Sequence, residues 1–273
     1  MLRIILVTAL LFFPACAATP YKYGNNYFDT PKTLAAGEKQ IERGEEYVLI
    51  DGIRHYFFSL PAKLLLWNWK IDSYKIDEDN EKILAGYLAE NNLTDVKIRI
   101  NEYDPLGEFS RLFKNKKVGW GWRYTVGLLG CAFYTIFPGR VFGGDNYNPY
   151  TDTINVYSNH PSVLLHEAGH ARDFAEIEHK GSWAFLSIIP GFNLHDEYEA
   201  SSEALSYAVH NNNKDLEKKS YKILYPAFGT YVGGDSSVFL PSVRPFSILF
   251  AIPGHIIGRI RTGNVKEDDN SVR

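Results

Sequence analysis

The alternation of hydrophobic and polar positions predicts its clearest elements in the middle of the chain. Residues 79–92 carry apolar side chains at helical spacing and predict an amphipathic helix. Residues 96–100 alternate apolar and basic positions, which predicts a half-exposed strand. Residues 153–157 alternate again and run directly into 161–174, where the spacing becomes helical. A further helix is predicted at 194–210, where alanines and a leucine form the packing stripe.

Earlier in the chain, the pattern predicts a hairpin and a tryptophan-rich segment. Residues 47–50 and 55–59 flank an Asp-Gly dipeptide, a turn sequence that predicts a β-hairpin. Residues 64–70 read LLLWNWK, and packing of both tryptophans against the core is the interpretation we favour. Contact of these tryptophans with a membrane surface is the alternative.

The segment 161–174, PSVLLHEAGHARDF, contains the order H-E-x-x-H. On a helix, His166 and His170 lie one turn apart on the same face, so both imidazoles can reach one metal ion. Glu167 points to a neighbouring part of that face, where it can contact a metal-bound water without ligating the metal. The spacing therefore predicts a zinc site. The alternative is a chance spacing of two histidines on an ordinary amphipathic helix.

The neighbouring residues predict the two ends of this helix. Pro161 suits a first helical turn, and Ser158, Asn159 or Ser162 could serve as its cap. Gly181 is the predicted stop.

The two histidines leave a zinc site incomplete, because a catalytic zinc takes three protein ligands and a water. The helix predicted at 194–210 offers Glu197, Glu199 and Glu203 as candidates for the third ligand, with His195 as a weaker one. An ordinary solvated helix face is the alternative interpretation of these carboxylates.

The segments HEAGH and EYEASSEA together resemble the gluzincin metallopeptidases, and within them the HtpX-type membrane peptidases. In that family the second helix carries Glu, an aromatic residue, any residue, Ala and Asp. The resemblance covers roughly residues 79–210. It implies that His166, His170 and Glu197 ligate Zn²⁺ and that Glu167 is the general base.

Three side chains beyond the ligands matter for this resemblance. Glu203 is the rival third ligand. Ser201 stands where the family has an Asp that supports a histidine ligand, so the chain departs from the pattern there. Asp173, seven residues after His166, could supply that support from the next turn, although an exposed acid is an equally good interpretation.

The predicted order of helix, strand, strand, metal helix and glutamate helix is that of a small zincin-like core, an α+β fold with a short mixed sheet. We predict this metallopeptidase core at residues 79–215. An N-terminal extension at 19–78 precedes it, and an apolar C-terminal extension with a polar tail follows at 216–273. In such a core, the strand beside the metal helix offers an open edge to an extended polypeptide substrate. Residues 151–158, or the loop 143–150, are predicted to form this edge.

Residues 1–18 predict a secretory signal peptide, since an arginine and a short apolar run precede small residues. An uncleaved N-terminal anchor is the alternative. Cys16 lies in a sequence that resembles a bacterial lipobox, and a lipid there would hold the mature protein on a membrane. Removal of the leader would leave Cys131 as the sole cysteine, which excludes a disulfide framework. We therefore expect an exported protein of the periplasm or the cell envelope membrane.

Three apolar stretches, at residues 124–137, 183–194 and 236–260, extend beyond the predicted core. None has the pattern of a clean transmembrane helix, because each is short or interrupted by charge, proline or glycine. They predict either a surface that contacts a membrane or ordinary core and lid segments.

Composition limits the alternatives. The 273 residues, 45% hydrophobic and 22% charged, indicate one globular domain with an N-terminal extension. A net charge of −3 gives no electrostatic reason to expect a nucleic-acid partner.

The motif predicts a zinc-dependent metalloendopeptidase of the cell envelope. Zinc would activate a water, and Glu167 would transfer its proton to the leaving amine. Tyr207, His210 and Arg244 are candidates for stabilising the oxyanion. One alternative is a non-catalytic zinc-binding or membrane-associated envelope lipoprotein on a zincin-like scaffold. Another is an accidental motif in a lipid-contacting structural protein.

Overall fold

A computed structural model describes residues 18–24, 27, 32–142 and 144–266. Cys16 and all but the last residue of the predicted signal peptide lie outside the described residues. The chain forms two compact units. One comprises Tyr23–Asn193, and the other combines Met1–Lys22 with Leu194–Arg273.

The unit Tyr23–Asn193 contains a mixed sheet whose strands have the order β1-β2-β4-β3. β1, β2 and β4 run parallel, whereas β3 is antiparallel to β4. The prediction of an α+β fold with a short mixed sheet is confirmed, as are the strands predicted at 96–100 and 153–157. The four strands are β1 (Ile41–Arg43), β2 (Lys97–Ile100), β3 (Asn146–Asn148) and β4 (Thr153–Val156).

The position of β4 corrects the predicted open edge. β4 hydrogen-bonds to β2 on one side and to β3 on the other, so residues 151–158 do not form an edge. The alternative segment, the loop 143–150, contains β3, which is an edge strand of the sheet. β3, which precedes β4 in the chain, therefore pairs with the side of β4 that was predicted to be open.

The prediction that residues 96–100 form a half-exposed strand is wrong, because both faces of β2 are buried. Lys97 is buried and its Nζ lies 2.7 Å from a carboxylate oxygen of Glu42. Arg99 is buried against Glu108, at 3.1 Å, and Asp104, at 2.9 Å. Burial would lower the pKa of Arg99, but these carboxylates outweigh it and raise the pKa above its usual value. Ion pairing therefore permits basic side chains inside this sheet.

This unit also contains helices, and the helix predicted at 79–92 is confirmed as α3. A π-helical turn follows α1 at Arg54–Phe58, and another joins α5 to α6 at Arg123–Gly127. In chain order the helices are α1 (Val48–Ile53), α2 (Leu60–Leu66), α3 (Glu78–Glu90), α4 (Pro105–Lys114), α5 (Trp120–Trp122), α6 (Leu128–Ile136), α7 (Gly139–Phe142), α8 (Pro161–Glu176) and α9 (Lys180–Leu186).

The β-hairpin predicted around Asp51-Gly52 is wrong, because this segment is helical through α1 and the following turn. Helical spacing places Asp51 and Arg54, three residues apart, on neighbouring positions of one face. The carboxylate of Asp51 accepts hydrogen bonds from Arg140 at 2.8 and 2.7 Å. Arg54 pairs with Asp72 at 3.1 Å. These contacts with distant residues override the local turn preference of Asp-Gly.

The two tryptophans of segment 64–70 do not pack in the core, so that prediction is also wrong. Trp67 and Trp69 are 65% and 59% exposed. Trp122 instead packs against a buried cluster, and Cys131 lies in the same cluster. Burial raises the pKa of the Cys131 thiol to about 12, which makes it a packing residue rather than a nucleophile.

In the second unit, the described residues from Leu194 onward are mostly helical, and they confirm the helix predicted at 194–210. Its long helix packs along the last one, and glycines at this contact allow backbone to approach backbone. The elements are α10 (Phe192–His210), α11 (Lys214–Phe239), a 3₁₀-helix (Pro241–Phe250) and α12 (Ala251–Asn264).

Across the described ranges of both units, no helix combines the length and the apolar character needed to cross a bilayer.

Candidate metal centre

Helix α8 carries the H-E-x-x-H residues and packs against α3, β3 and β4. It begins with Pro161, as predicted, and its N-cap residue is His160. None of the three predicted caps, Ser158, Asn159 and Ser162, holds this position, and Ser162 lies inside the helix. The Ser158 hydroxyl accepts a hydrogen bond from the Asp72 N–H at 2.8 Å, and the Asn159 side chain accepts one from the Asp77 N–H at 3.1 Å. Both residues therefore fix the loop that leads into α8.

The C-terminal end of α8 is held by a buried lysine that the sequence pattern did not reveal. Lys180 Nζ donates to the carbonyl oxygens of Phe174, Ala175 and Ile177, at 2.6, 3.0 and 2.8 Å. Burial, followed by repulsion from Lys117, lowers the pKa of Lys180 to about 8. The helix ends at Glu176, so the predicted stop at Gly181 is wrong.

A buried polar network lies at the loop that enters α8. Asp72 pairs with Arg54, and Lys63 Nζ donates to the Asp72 carbonyl oxygen at 3.0 Å. The Ser158 hydroxyl donates to Asp145. Burial raises the pKa of Asp72 to about 6 and lowers that of Lys63 to about 8. The only sequence signal for this network is charge at Arg54 and Lys63 inside an otherwise apolar run.

His166 and His170 present their rings to each other on successive turns of α8. Their Nε2 atoms are 3.2 Å apart, and the ring centroids are separated by 4.7 Å. His166 is buried, whereas His170 is half-buried. Two nitrogens bound at about 2.05 Å to one tetrahedral ion lie about 3.3 Å apart. The observed separation therefore fits two ligands of one ion.

Glu197 completes a group that could hold a metal ion. His166, His170 and Glu197 each offer one ligand atom, and these atoms lie within 4.8 Å of one another. Glu197 is buried in α10, the helix that the sequence analysis assigned to the third ligand. Two imidazole nitrogens and a carboxylate oxygen are donors that a borderline divalent metal such as zinc accepts. The donor set thus fits the predicted ion without identifying it.

The rival ligands on α10 have different surroundings. Glu199 lies 3.9 Å from His195, and both side chains are largely exposed. Glu203 is half-buried and does not belong to the group of three ligand atoms. The geometry therefore separates Glu197 from its three rivals.

The remaining predicted site residues occupy varied positions. Glu167 is buried on α8, next to His166 in the chain. Ser201 is buried on α10, and Asp173 is half-buried on α8.

The three candidates for stabilising the oxyanion also differ in exposure. Tyr207 is buried, and its ring centroid lies 5.5 Å from that of Tyr21. His210 and Arg244 are exposed. The described contacts do not select an oxyanion donor among these three.

Comparison of the chain with protein-family models, with curated proteins and with solved structures found no match.

Proposed function

We propose that the protein is a zinc-dependent metallopeptidase with a zincin-like core. The observation that carries this proposal is the group of His166, His170 and Glu197, whose ligand atoms lie within 4.8 Å of one another. A buried carboxylate, Glu167, directly follows the first histidine in the chain. This is the composition of a hydrolytic site, because it combines three metal ligands with a separate acid–base group.

The proposed chemistry divides the work among these four residues. His166, His170 and Glu197 hold the ion. When bound, zinc supplies Lewis-acid chemistry, since it polarises the scissile carbonyl and lowers the pKa of a water. The Glu167 carboxylate accepts the proton of the attacking water and then donates it to the departing amine. Glu167 carries no ligand role, so its substitution separates catalysis from metal binding.

The proposed substrate is a polypeptide in an extended conformation. An edge strand offers unpaired backbone groups with which an extended peptide can pair. β3 is an edge of the sheet and packs against α8, the helix of the two histidines. This arrangement supports β3 (Asn146–Asn148), rather than β4, as the strand that aligns the substrate.

The decisive experiment measures metal content and proteolysis on the same preparations. We expect about one zinc per chain by mass spectrometry and hydrolysis of an unfolded fluorescent protein substrate. Glu167→Gln should keep the zinc and lose at least about 100-fold in rate. Asp79→Asn, an exposed acid on α3, is the matched control and should keep both properties.

Two results would count against the peptidase. Zinc at one equivalent without hydrolysis of the unfolded substrate would favour a non-catalytic zinc-binding protein of the cell envelope. If the wild-type chain holds no zinc after reconstitution, the proposal of a zinc peptidase is wrong.

A further inference from the structure

Residues 47–69 fold with their charges inward and their apolar side chains outward. Arg54 and Lys63 are 5% and 2% exposed, and both bind Asp72. In contrast, Val48 is 84% exposed and Phe57 is 70% exposed. Water-facing helices have the opposite arrangement, with charges outside and large apolar residues inside. The outer surface of this segment is therefore built for an apolar environment.

A second segment, residues 120–142, shows the same arrangement. Leu129, Phe133 and Ile136 follow one another at helical spacing on α6, and each is at least 67% exposed. The inner side of the same region carries Cys131 and the buried Gly127. Arg140 is buried and pairs at 2.7 Å with Asp51 of the first segment, so its charge is also turned inward.

Ring contacts join the two segments into one continuous surface. The exposed phenylalanines form a chain of neighbours from the π-helical turn Arg54–Phe58 to α6, with centroid separations of 5.2, 5.4, 6.2 and 4.9 Å. In order, they are Phe57, Phe58, Phe142, Phe137 and Phe133. We call the exposed apolar side chains of residues 47–69 and 120–142 the apolar face. A continuous exposed patch of large apolar residues marks an interaction site.

The segments that carry most of the apolar face hold basic rather than acidic residues, whereas Glu45 and Glu46 are exposed directly before Tyr47. Residues 52–71 and 109–144 contain no Asp or Glu, although acidic residues outnumber basic ones in the chain, 32 to 29. The basic residues of these segments that remain exposed are Lys70, Lys114 and Lys116. Exposed lysines beside an apolar surface are complementary to anionic lipid headgroups.

We propose that the apolar face docks the protein onto a lipid bilayer that contains anionic lipids. Lipid tails offer no hydrogen-bonding groups, and the inward pairing of Arg54 and Lys63 with Asp72 keeps these two charges away from the apolar face. Exposed Trp67, Trp69 and Trp120 supply the amphipathic rings that settle at the headgroup level.

The test uses the full chain carrying Cys16→Ser, so that no lipid can be attached there. Co-sedimentation is measured with phosphatidylcholine vesicles that contain or lack phosphatidylglycerol. We expect binding that is stronger with the anionic lipid. Phe57→Ser combined with Phe133→Ser should weaken it by at least about 100-fold, because each exposed ring loses its burial in the bilayer. Exchanging the three lysines for glutamine should weaken binding about fivefold per lysine on anionic vesicles alone.

A matched control exchanges Ile252 and Ile256 for serine, because both are exposed apolar residues of α12 outside the apolar face. This control should bind vesicles like the parent. Circular dichroism verifies that each variant remains folded, and zinc content gives a second check that is independent of lipid. Retained binding in the Phe57→Ser/Phe133→Ser variant would overturn the proposal, as would equal loss in the control. A parent that ignores vesicles but becomes monomeric on substitution of the face would show a second copy as its occupant instead.

Discussion

The Nε2 atoms of His166 and His170 lie 3.2 Å apart, on successive turns of one helix. Without an ion, this spacing requires one nitrogen to donate a proton to the other. With an ion, both lone pairs point at one centre, and the spacing matches two ligands on a tetrahedral metal. The two histidines are therefore arranged to bind one metal ion. The stability of the folded protein should then depend on whether that metal is supplied.

Zinc should stabilise the folded protein, because only the folded chain brings these ligands together. At a free zinc concentration of about 100 times the dissociation constant, the expected gain is about 2.7 kcal/mol. His166→Ala and His170→Ala should each abolish the zinc-dependent rise in Tm, measured by calorimetry with and without chelator. His195→Ala, an exposed histidine on α10, is the control and should retain the full rise. A rise that survives in both ligand variants would contradict the site.

Glu197 should be the only carboxylate on α10 whose removal releases zinc. Glu197→Ala should lower zinc affinity by at least tenfold, since a buried ligand oxygen is lost. Glu203→Ala and Glu199→Ala should leave metal content unchanged. Mass spectrometry of the three variants, prepared side by side, checks this order. Loss of zinc only in Glu203→Ala would transfer the third ligand to the rival position.

The helices α8 and α10 could be predicted from sequence because the relevant information is local. Ligands four residues apart meet on any helix, whatever surrounds it. The prediction of α8 and α10 therefore needed no knowledge of tertiary contacts. Predicting the edge strand would have required tertiary contacts, because the sequence does not specify which strand pairs with the second side of β4.

The predictions of a hairpin and of a half-exposed β2 are wrong for the same physical reason. Asp51 and Arg140 are 89 positions apart in the chain, and their ion pair outweighs the local preference of Asp-Gly for a turn. Lys97 and Arg99 enter the sheet only because acids from other elements neutralise them. A charged residue in a strand pattern therefore does not by itself indicate that the position is exposed, because an oppositely charged residue from another element can pair with it inside the protein.

Lys180, which lies four residues beyond the end of α8, should stabilise that helix. Lys180→Met preserves side-chain length but removes hydrogen bonds to three carbonyl oxygens at the end of α8. We expect a loss of about 1–3 kcal/mol in the free energy of unfolding, measured by urea denaturation. Lys82→Met, at an exposed position of α3, is the matched control and should change stability by less than about 0.5 kcal/mol. Equal stability of the two variants would show that these hydrogen bonds contribute little.

Asp72 should make the protein less stable as the pH rises from about 4 to 6. Its pKa is raised from 3.8 to about 6 in the folded protein, primarily by burial and next by Asp145. The folded chain therefore holds a proton that the unfolded chain has released, and this contribution is complete below the unfolded pKa and lost through the folded one. The slope reaches at most about 1.4 kcal/mol per pH unit.

Asp72→Asn should remove that slope, because an amide does not titrate in this range. Urea unfolding at half-unit intervals from pH 4 to 7, in the presence of chelator, measures it without a contribution from metal binding. Asp79→Asn, largely exposed on α3, should keep the parental slope. An unchanged slope in Asp72→Asn would exclude this carboxyl as its source.

Adjacent glycines on α11 should respond in opposite directions to alanine. A Cβ at Gly233 would lie 2.1 Å from the carbonyl oxygen of Ser247, so the backbones of α11 and the 3₁₀-helix would have to separate. A Cβ at Gly234 meets nothing within 4 Å. Gly233→Ala should destabilise the protein by about 1–3 kcal/mol, whereas Gly234→Ala should stabilise it by up to about 1 kcal/mol through helix propensity. Thermal unfolding of both variants is the measurement. Destabilisation of similar size in both would mean that close backbone approach does not govern this contact.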